Sequence, residues 1–197
     1  MPRLNVLISG AGIAGCTLAY WLARHGQAAT VVERSGAIRS SGAPVDIRGP
    51  AAQVVEEMGL VPRLQVATTN VAALSFLDSS GRRRAHVDLV GFRRSMAMRH
   101  FELPRGDLST ILHEASRDSA EFMFRDSIAS LAQEDGGVAV TFEHSAPQRF
   151  DLVVGADGLH STVRRLAFGP ETSFLIMPGS MSRPCRCLAA SIRMARS

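Results

Sequence analysis

The chain of 197 residues contains no lysine, one tryptophan, one tyrosine and three cysteines. Cys16, Cys185 and Cys187 are too few for the disulfide framework of a small secreted domain, so reduced thiols are expected. No apolar run approaches the roughly 20 residues of a membrane-crossing helix, and the N-terminal apolar segment is too short and wrongly flanked for a secretory signal. The expectation is a cytoplasmic chain with no membrane partner. The six histidines are scattered without metal-ligand spacing, and Cys185-x-Cys187 is a pair of thiols without further ligands, so no metal site is expected.

Charge of one sign is scarce until the end. Arginines and acids balance through Leu175, and the whole net charge of +4 comes from Arg183, Arg186, Arg193 and Arg196, in a stretch with no acid. A diffuse basic footprint for nucleic acid is therefore missing, and no such partner is expected. With 46% hydrophobic and 20% charged residues the composition is that of a soluble globular domain with a real core.

The chemistry concentrates in the first thirty-four residues. Leu4 to Ser9 is a short apolar run suited to a buried strand. It meets Gly10-Ala11-Gly12-Ile13-Ala14-Gly15, and a helix from Ile13 to His25 follows, with Ala14, Leu18, Trp21 and Leu22 on one face. Cys16 falls in its first turns, where a small buried thiol is expected. A second strand, Ala28 to Val32, ends in Glu33, 21 residues after Gly12. In a dinucleotide fingerprint Gly10 allows the tight turn, Gly12 lets a pyrophosphate approach the backbone, and Gly15 lets helix pack on strand. The acid reaches a ribose hydroxyl, and the helix N-terminus offers N–H groups to the anion. A glycine turn can also serve packing alone; the uninterrupted strand, loop, helix, strand and acid favour the nucleotide. Whether the adenine end belongs to FAD or NAD stays open on these residues.

Beyond Ser35 a Gly/Ser/Pro-rich loop contains an extended piece at Pro44 to Arg48. Pro50 starts a helix with Ala51, Val54, Val55 and Met58 inward and Gly59 at its end. Val71 to Leu77 and Arg84 to Val90 read as a hairpin across Asp78-Ser79-Ser80-Gly81, with Arg82-Arg83-Arg84 a solvated cluster at the turn. A helix near Leu108 to Ser116 buries Leu108, Ile111, Leu112 and Ala115, with Asp107 placed to cap or complement its start. Strands are expected at Glu121 to Phe124, Ile128 to Gln133, Gly137 to Phe142 and Phe150 to Val154. The last runs into a second glycine turn, Gly155-Ala156-Asp157-Gly158, opening a helix that carries Ser161, Val163 and Arg164. The alternation is α/β with β-rich insertions.

Gly10 to Gly15, Glu33-Arg34, Pro104-Arg105-Gly106-Asp107-Leu108 and Asp151 to Arg164 occur in an order that resembles the class A FAD-dependent monooxygenases, the para-hydroxybenzoate hydroxylase fold group. The resemblance covers about Pro2 to Leu175. It implies a Rossmann-like FAD-binding domain over residues 1–175, including part of a substrate-domain sheet at about 70–100 and incomplete at the C-terminus. It further implies FAD as cofactor and NAD(P)H as co-substrate, with O₂ supplying one oxygen atom to an aromatic or other electron-rich small molecule. No nucleophilic side chain is needed. Gly10, Gly12, Ile13, Ala14 and Gly15 would hold the ADP pyrophosphate, Glu33 with Arg34 the adenosine ribose side, and Arg105 the flavin side. Asp157, Gly158 and Arg164 would help hold the cofactor, Asp157 also being tied in that family to the nicotinamide nucleotide. Arg48, in a stretch that in related enzymes runs beside the flavin ring, is a weaker candidate for the substrate side; a surface loop arginine is the other reading. From Ile176 periodicity and acids vanish, and 176–197 reads as an unstructured or frameshifted tail. A catalytically inactive nucleotide-binding fragment and a compact NAD-dependent dehydrogenase are the rival readings, the second disfavoured by Gly155 to Arg164.

Overall fold

The computed structural model describes residues 2–39, 42–69, 72–89, 101–170 and 172. The tail after 172, Cys185 and Cys187 among it, and the hairpin ends at Val71 and Val90 lie outside the described residues. The chain divides into two compact units, one formed by Met1–Pro44 with Pro104–Leu175 and the other built around Val45–Leu103.

The first unit is organised by a parallel sheet of β1 (Asn5–Ser9), β2 (Ala28–Glu33), β7 (Glu121–Phe124) and β11 (Leu152–Gly155), in the spatial order β11-β1-β2-β7. Every pairing is parallel, with Ser9 opposite both Gly155 and Val32, and Glu33 opposite Phe124. The carboxyl ends of all four strands therefore share one edge. Val6, Leu7, Ile8, Val31 and Val32 are all buried, the continuous apolar pattern of strands covered on both faces. Helix α1 (Ile13–Arg24) covers the face that carries Ile8. The other face meets an antiparallel sheet of β8 (Ile128–Glu134), β9 (Gly137–Phe142) and β10 (Gln148–Phe150), with Leu7, Val32, Ile128, Val140, Phe142, Phe150 and Val163 forming the shared core. Helix α4 (Arg105–Ser116) packs on α1, and α5 (Thr162–Phe168) lies on β8 and β11.

The second unit pairs β3 (Val45–Ile47) antiparallel with β6 (Phe101–Leu103) and adds helices α2 (Pro50–Glu57) and α3 (Val61–Ala67). It also carries the hairpin of β4 (Ala73–Leu77) and β5 (Arg83–Asp88), most of whose residues are exposed. Asp78 organises the hairpin turn. Its Oδ1 accepts from the N–H groups of Ser80 and Arg82 at 3.0 Å and its Oδ2 from Arg84 at 2.9 Å. One arginine of the triple is thus part of the turn, and the Ser80 hydroxyl, first among these donors, holds the Asp78 carboxyl below its usual range.

The α/β architecture expected from the sequence is present, and several details differ from it. In α1 the buried residues are Gly15, Cys16 and Ala19, while Ala14 is exposed and Leu18, Trp21 and Leu22 are half-buried. Gly15 draws the helix so close to the sheet that only small side chains fit beneath it. In α2 Ala52 is inward and Ala51 is not. Helix α3 was not expected, although Pro62 in its first turn is a start signal. Helix α4 begins at Arg105, three residues early, and Asp107 makes no side-chain cap, so it complements the dipole instead. Ala115 is only half-buried; Gly106, Ser109 and Ser116 join the inward face, where α1 passes. Phe150 to Val154 is two strands, because Asp151 bonds Asn5 twice, N–H to carbonyl at 2.9 Å and carboxylate from N–H at 2.7 Å. There the chain leaves the antiparallel sheet for the parallel one.

A Cβ on Gly15 would run into the Gly10 carbonyl oxygen, and its next neighbours are Gly10 C and Ile8 Cγ2 at 3.1 and 3.3 Å. These are backbone and packed core, which cannot yield cheaply. Gly15→Ala should therefore lower stability by about 1–3 kcal/mol, measured by thermal or urea unfolding; an unchanged transition would show that the helix does not sit this close.

Candidate functional site

Loops leaving the carboxyl ends of β1, β2, β7 and β11 enclose a cleft of about 430 Å³. This is the edge at which parallel α/β sheets bind ligands, because helix N-termini and open loops meet there. A crevice of similar size, about 440 Å³, lies at the amino edge by Arg3, Arg24, Gln27 and Ser119. It lies against Gly26 at the C-terminal end of α1, the wrong end of the dipole for an anion.

The cleft floor is the first glycine loop. Gly10 adopts φ +103°, a conformation that favours glycine, and donates its N–H to Val32 at 2.7 Å. A Cβ there would sit 2.6 Å from the Ala156 carbonyl oxygen, so the two glycine turns touch through backbone. Gly12 is different. Its φ of −84° suits any residue, and a Cβ built on it would meet nothing within 4 Å. Neither its conformation nor packing among the described residues calls for glycine at this position, which is the N-cap of α1 and carries no side-chain cap. The first N–H groups of that helix are left for something else at the cleft, and backbone N–H groups with a positive dipole end attract an anion.

Glu33, half-buried at the end of β2, accepts the Ala11 N–H at 3.0 Å through Oε2 and the Ser35 N–H at 2.9 Å through Oε1. It fixes the glycine loop as well as lining the cleft. Asp157 does similar double work. Its Oδ2 caps α5 through the N–H groups of Thr162 (2.7 Å) and Val163 (3.1 Å) and accepts from the Ser9 hydroxyl at 3.3 Å. Its Oδ1 is buried and has no hydrogen-bond partner among the described residues. A carboxylate oxygen left in that state is costly to the fold. Ser161 is the side-chain cap of α5, accepting from the Arg164 N–H at 3.0 Å.

Of the residues singled out from the sequence, Gly10, Gly12, Ile13, Glu33, Arg34, Arg105, Asp157 and Gly158 line this cleft together. Ala14, Gly15 and Arg164 do not; Gly15 is buried against Gly10, and the Arg164 side chain turns to the Leu159 carbonyl. Arg48 belongs to the second unit, exposed and ion-paired with Asp46 at 3.3 Å. Sequence reasoning missed Ser9, Arg39, Ser109, Asp126 and Ser127, which also line the cleft. The available signal was positional: Asp126 and Ser127 directly follow a strand of the parallel sheet.

The sequence profile described as "FAD binding domain" matches residues 3–173. The chain belongs to this family. Among curated relatives, it is 44% identical over 172 residues to the uncharacterized protein Rv1260 of Mycobacterium tuberculosis (strain ATCC 25618 / H37Rv), covering 87% of this chain and 46% of that one. It is 34% identical over 180 residues to a flavin-dependent monooxygenase of Legionella longbeachae serogroup 1 (strain NSW150), covering 90% and 45%. The crystal structure of tetracycline destructase Tet(51) superposes with a TM-score of 0.74 at 35% identity, over 85% of this chain and 42% of that one. The chain thus spans less than half the length of these relatives. In this FAD binding domain the first glycine loop, Glu33 and the second glycine turn line one cleft.

Two buried groups of the FAD binding domain titrate abnormally. Burial, with the Glu33 charge nearby, pushes the Cys16 thiol up to about 12. Asp126 is 4% exposed, and burial alone would raise its pKa. Donors from Ser145, Ser127 and His144, the backbone ones at 2.8–3.0 Å, outweigh burial and hold it below 3.8. Because the folded pKa is depressed, this stabilisation is present above the ordinary carboxylate range and is lost as pH falls through and below 3.8. Asp126→Asn should cost about 1–3 kcal/mol at neutral pH and show a smaller loss of stability on acidification than the parent, checked by urea titrations at pH 7 and pH 3–4. Cys16 should be labelled by a thiol reagent only after denaturation; rapid labelling of native protein would contradict its burial.

Proposed function

We propose that this chain binds FAD in the carboxyl-edge cleft and is the FAD-binding portion of a monooxygenase that uses NAD(P)H and O₂ to hydroxylate an aromatic or other electron-rich small molecule. The observation that carries the reading is Gly12. At Gly10 and Gly15 a Cβ would strike backbone, so the fold itself needs those glycines; at Gly12 it would enter open space beside uncapped helix N–H groups. Glycine there serves a ligand that comes close to the main chain. The family match and the flavin-dependent monooxygenase among the relatives support FAD over a freely exchanging NAD.

In this reading the Gly10–Gly12 loop and the start of α1 hold the pyrophosphate, Glu33 and Arg34 the ribose side, and Arg105, Asp157 and Gly158 the flavin side. When bound, the flavin supplies the electron transfer and the oxygen chemistry. The chain's own part is to orient it: Glu33 keeps Ala11 in place while leaving lone pairs for a sugar hydroxyl, and Asp157 ties the second glycine turn to Ser9. Arg105 projects its guanidinium from the first turn of α4, with its aliphatic stem 3.0 Å from where a Cβ of Gly42 would lie. A cation at a helix start opposes the dipole, which is consistent with its serving an anion or a carbonyl in the cleft. Arg48 is kept as a substrate-side proposal from the sequence.

The purified chain should show a flavin absorbance spectrum or take up added FAD. Gly12→Val should weaken FAD binding by at least about tenfold while leaving the unfolding transition close to the parent's, since the added side chain meets only the ligand's space. A folded protein with no affinity for FAD would refute the reading. FAD-dependent NAD(P)H oxidation separates the monooxygenase from a nucleotide-binding chain without catalysis.

A further inference from the structure

Two walls of the cleft are built on separate elements. Arg105 and Ser109 reach it from α4, and Asp126 and Ser127 from the turn between β7 and β8. The two elements are joined through His113. It follows Arg105 and Ser109 at four-residue spacing, so the three lie along one side of α4. Its ring stands edge-to-face with Phe122, the centroids 4.7 Å apart and the planes at 84°, and with Phe124 at 5.8 Å and 71°. The two phenylalanines stack on each other at 6.1 Å. They alternate along β7 with Met123, which packs into the core shared with the antiparallel sheet, so both turn to the opposite face, that of α1 and α4. Phe124 is the sheet neighbour of Glu33, and two residues on Asp126 donates its N–H to the Glu33 carbonyl at 3.2 Å. The aromatic cluster thus borders the residues that line the cleft.

The contact suits one protonation state of the ring. His113 is half-buried, and an imidazolium there would give up water that two phenylalanines do not replace. Nearby charges do not offset the loss. On α4 itself Arg117 opposes a proton more strongly than Glu114 favours one, although Arg117 also pairs with Asp118 at 3.6 Å. On β7 the ends of the cluster carry Glu121, which accepts the Thr30 hydroxyl at 3.4 Å, and Arg125, a second cation. From α1, which packs on α4, the ionisable group beside Ser116 is the Cys16 thiol, which stays neutral. Burial first, and then Arg117, hold the imidazole below its usual 6.5. Because the folded pKa is depressed, the stabilisation is complete above 6.5 and is lost as pH falls through the folded value.

We propose that His113 is a pH-sensitive clasp between the two walls. As a neutral ring it keeps α4 on β7. On taking up a proton it leaves the phenylalanine pair, α4 loosens, and Arg105 and Ser109 are no longer held in place opposite Asp126 and Ser127. The consequence for binding rests on the reading that the cleft holds FAD: affinity is highest with His113 neutral and falls on acidification. The coupling runs through one helix, with Arg105 eight residues, or about 12 Å, from the clasp. It is also reciprocal, so a ligand that needs both walls makes His113 harder to protonate.

FAD is titrated into the full chain and its His113→Phe and His113→Gln variants at about pH 7.5 and about pH 5.5, and thermal midpoints are recorded at both without ligand. Neither replacement takes up a proton, and phenylalanine keeps a ring in the cluster; the other histidines are common to all three proteins. On acidification the parent should lose about three- to tenfold in FAD affinity, and its midpoint should fall about 2–4 °C further than that of His113→Phe. His113→Phe should change by less than about twofold in affinity over the same range. His113→Gln, which lacks the ring, should bind more weakly than the parent at the higher pH and be equally insensitive to acid; it decides the matter if His113→Phe does not fold. Variants that depend on pH as the parent does would overturn the proposal while the cofactor reading stands. So would a parent affinity that rises on acidification, by showing that the phenylalanine faces hold the cation. A parent that binds no FAD at either pH refutes the cofactor reading; the clasp is then overturned if the midpoints of parent and variants fall equally, and upheld if the parent's falls further.

Discussion

The close approach of α1 to the loop that precedes it is the constraint on which the first unit depends. Gly15 lies against the Gly10 carbonyl, a contact that a single methyl group would prevent. Because the contact exists, the start of α1 is held at the carboxyl edge of the sheet and not one turn above it, and only Cys16 and Ala19 fit beneath. The same proximity aims the uncapped N–H groups into the cleft. Helix packing and an uncapped helix start open to the cleft are therefore two results of one missing side chain.

Around that contact the acids act twice. Glu33 and Asp157 each spend part of their hydrogen-bonding capacity on backbone N–H groups of the loops and helix starts that build the cleft. Asp157 Oδ1 is left buried and without a hydrogen-bond partner among the described residues. Asp126 is spent wholly on structure, tying the start of β8 to the turn between β9 and β10 through three backbone donors. A cleft whose walls are fixed by its own carboxylates is largely formed before a ligand enters, which lowers the ordering cost of binding.

The errors in the sequence reading share a cause. Helical periodicity ranks large apolar residues as inward, yet α1 buries small ones because a glycine sets its depth, and α4 buries Ser109 and Ser116. Phe150 to Val154 reads as one strand because all its residues but Asp151 favour extension; the division arises from two hydrogen bonds between Asp151 and Asn5, 146 residues away.

The sequence by itself determined the local units. Gly10, Gly12 and Gly15 at their spacing, the strand before and after them, and Glu33 at its offset specify a strand, turn and helix with an acid at the far end, because each is set by backbone sterics and short-range periodicity. It also determined the second glycine turn and the Asp78 hairpin. Only the tertiary structure decided that the two glycine turns touch, that Gly12 alone among the three faces open space, and that Asp126 and Ser127 line the same cleft. The reason is that the spatial order β11-β1-β2-β7 brings together residues more than 140 positions apart, and register across a parallel sheet is a property of long-range pairing that no single stretch of chain encodes.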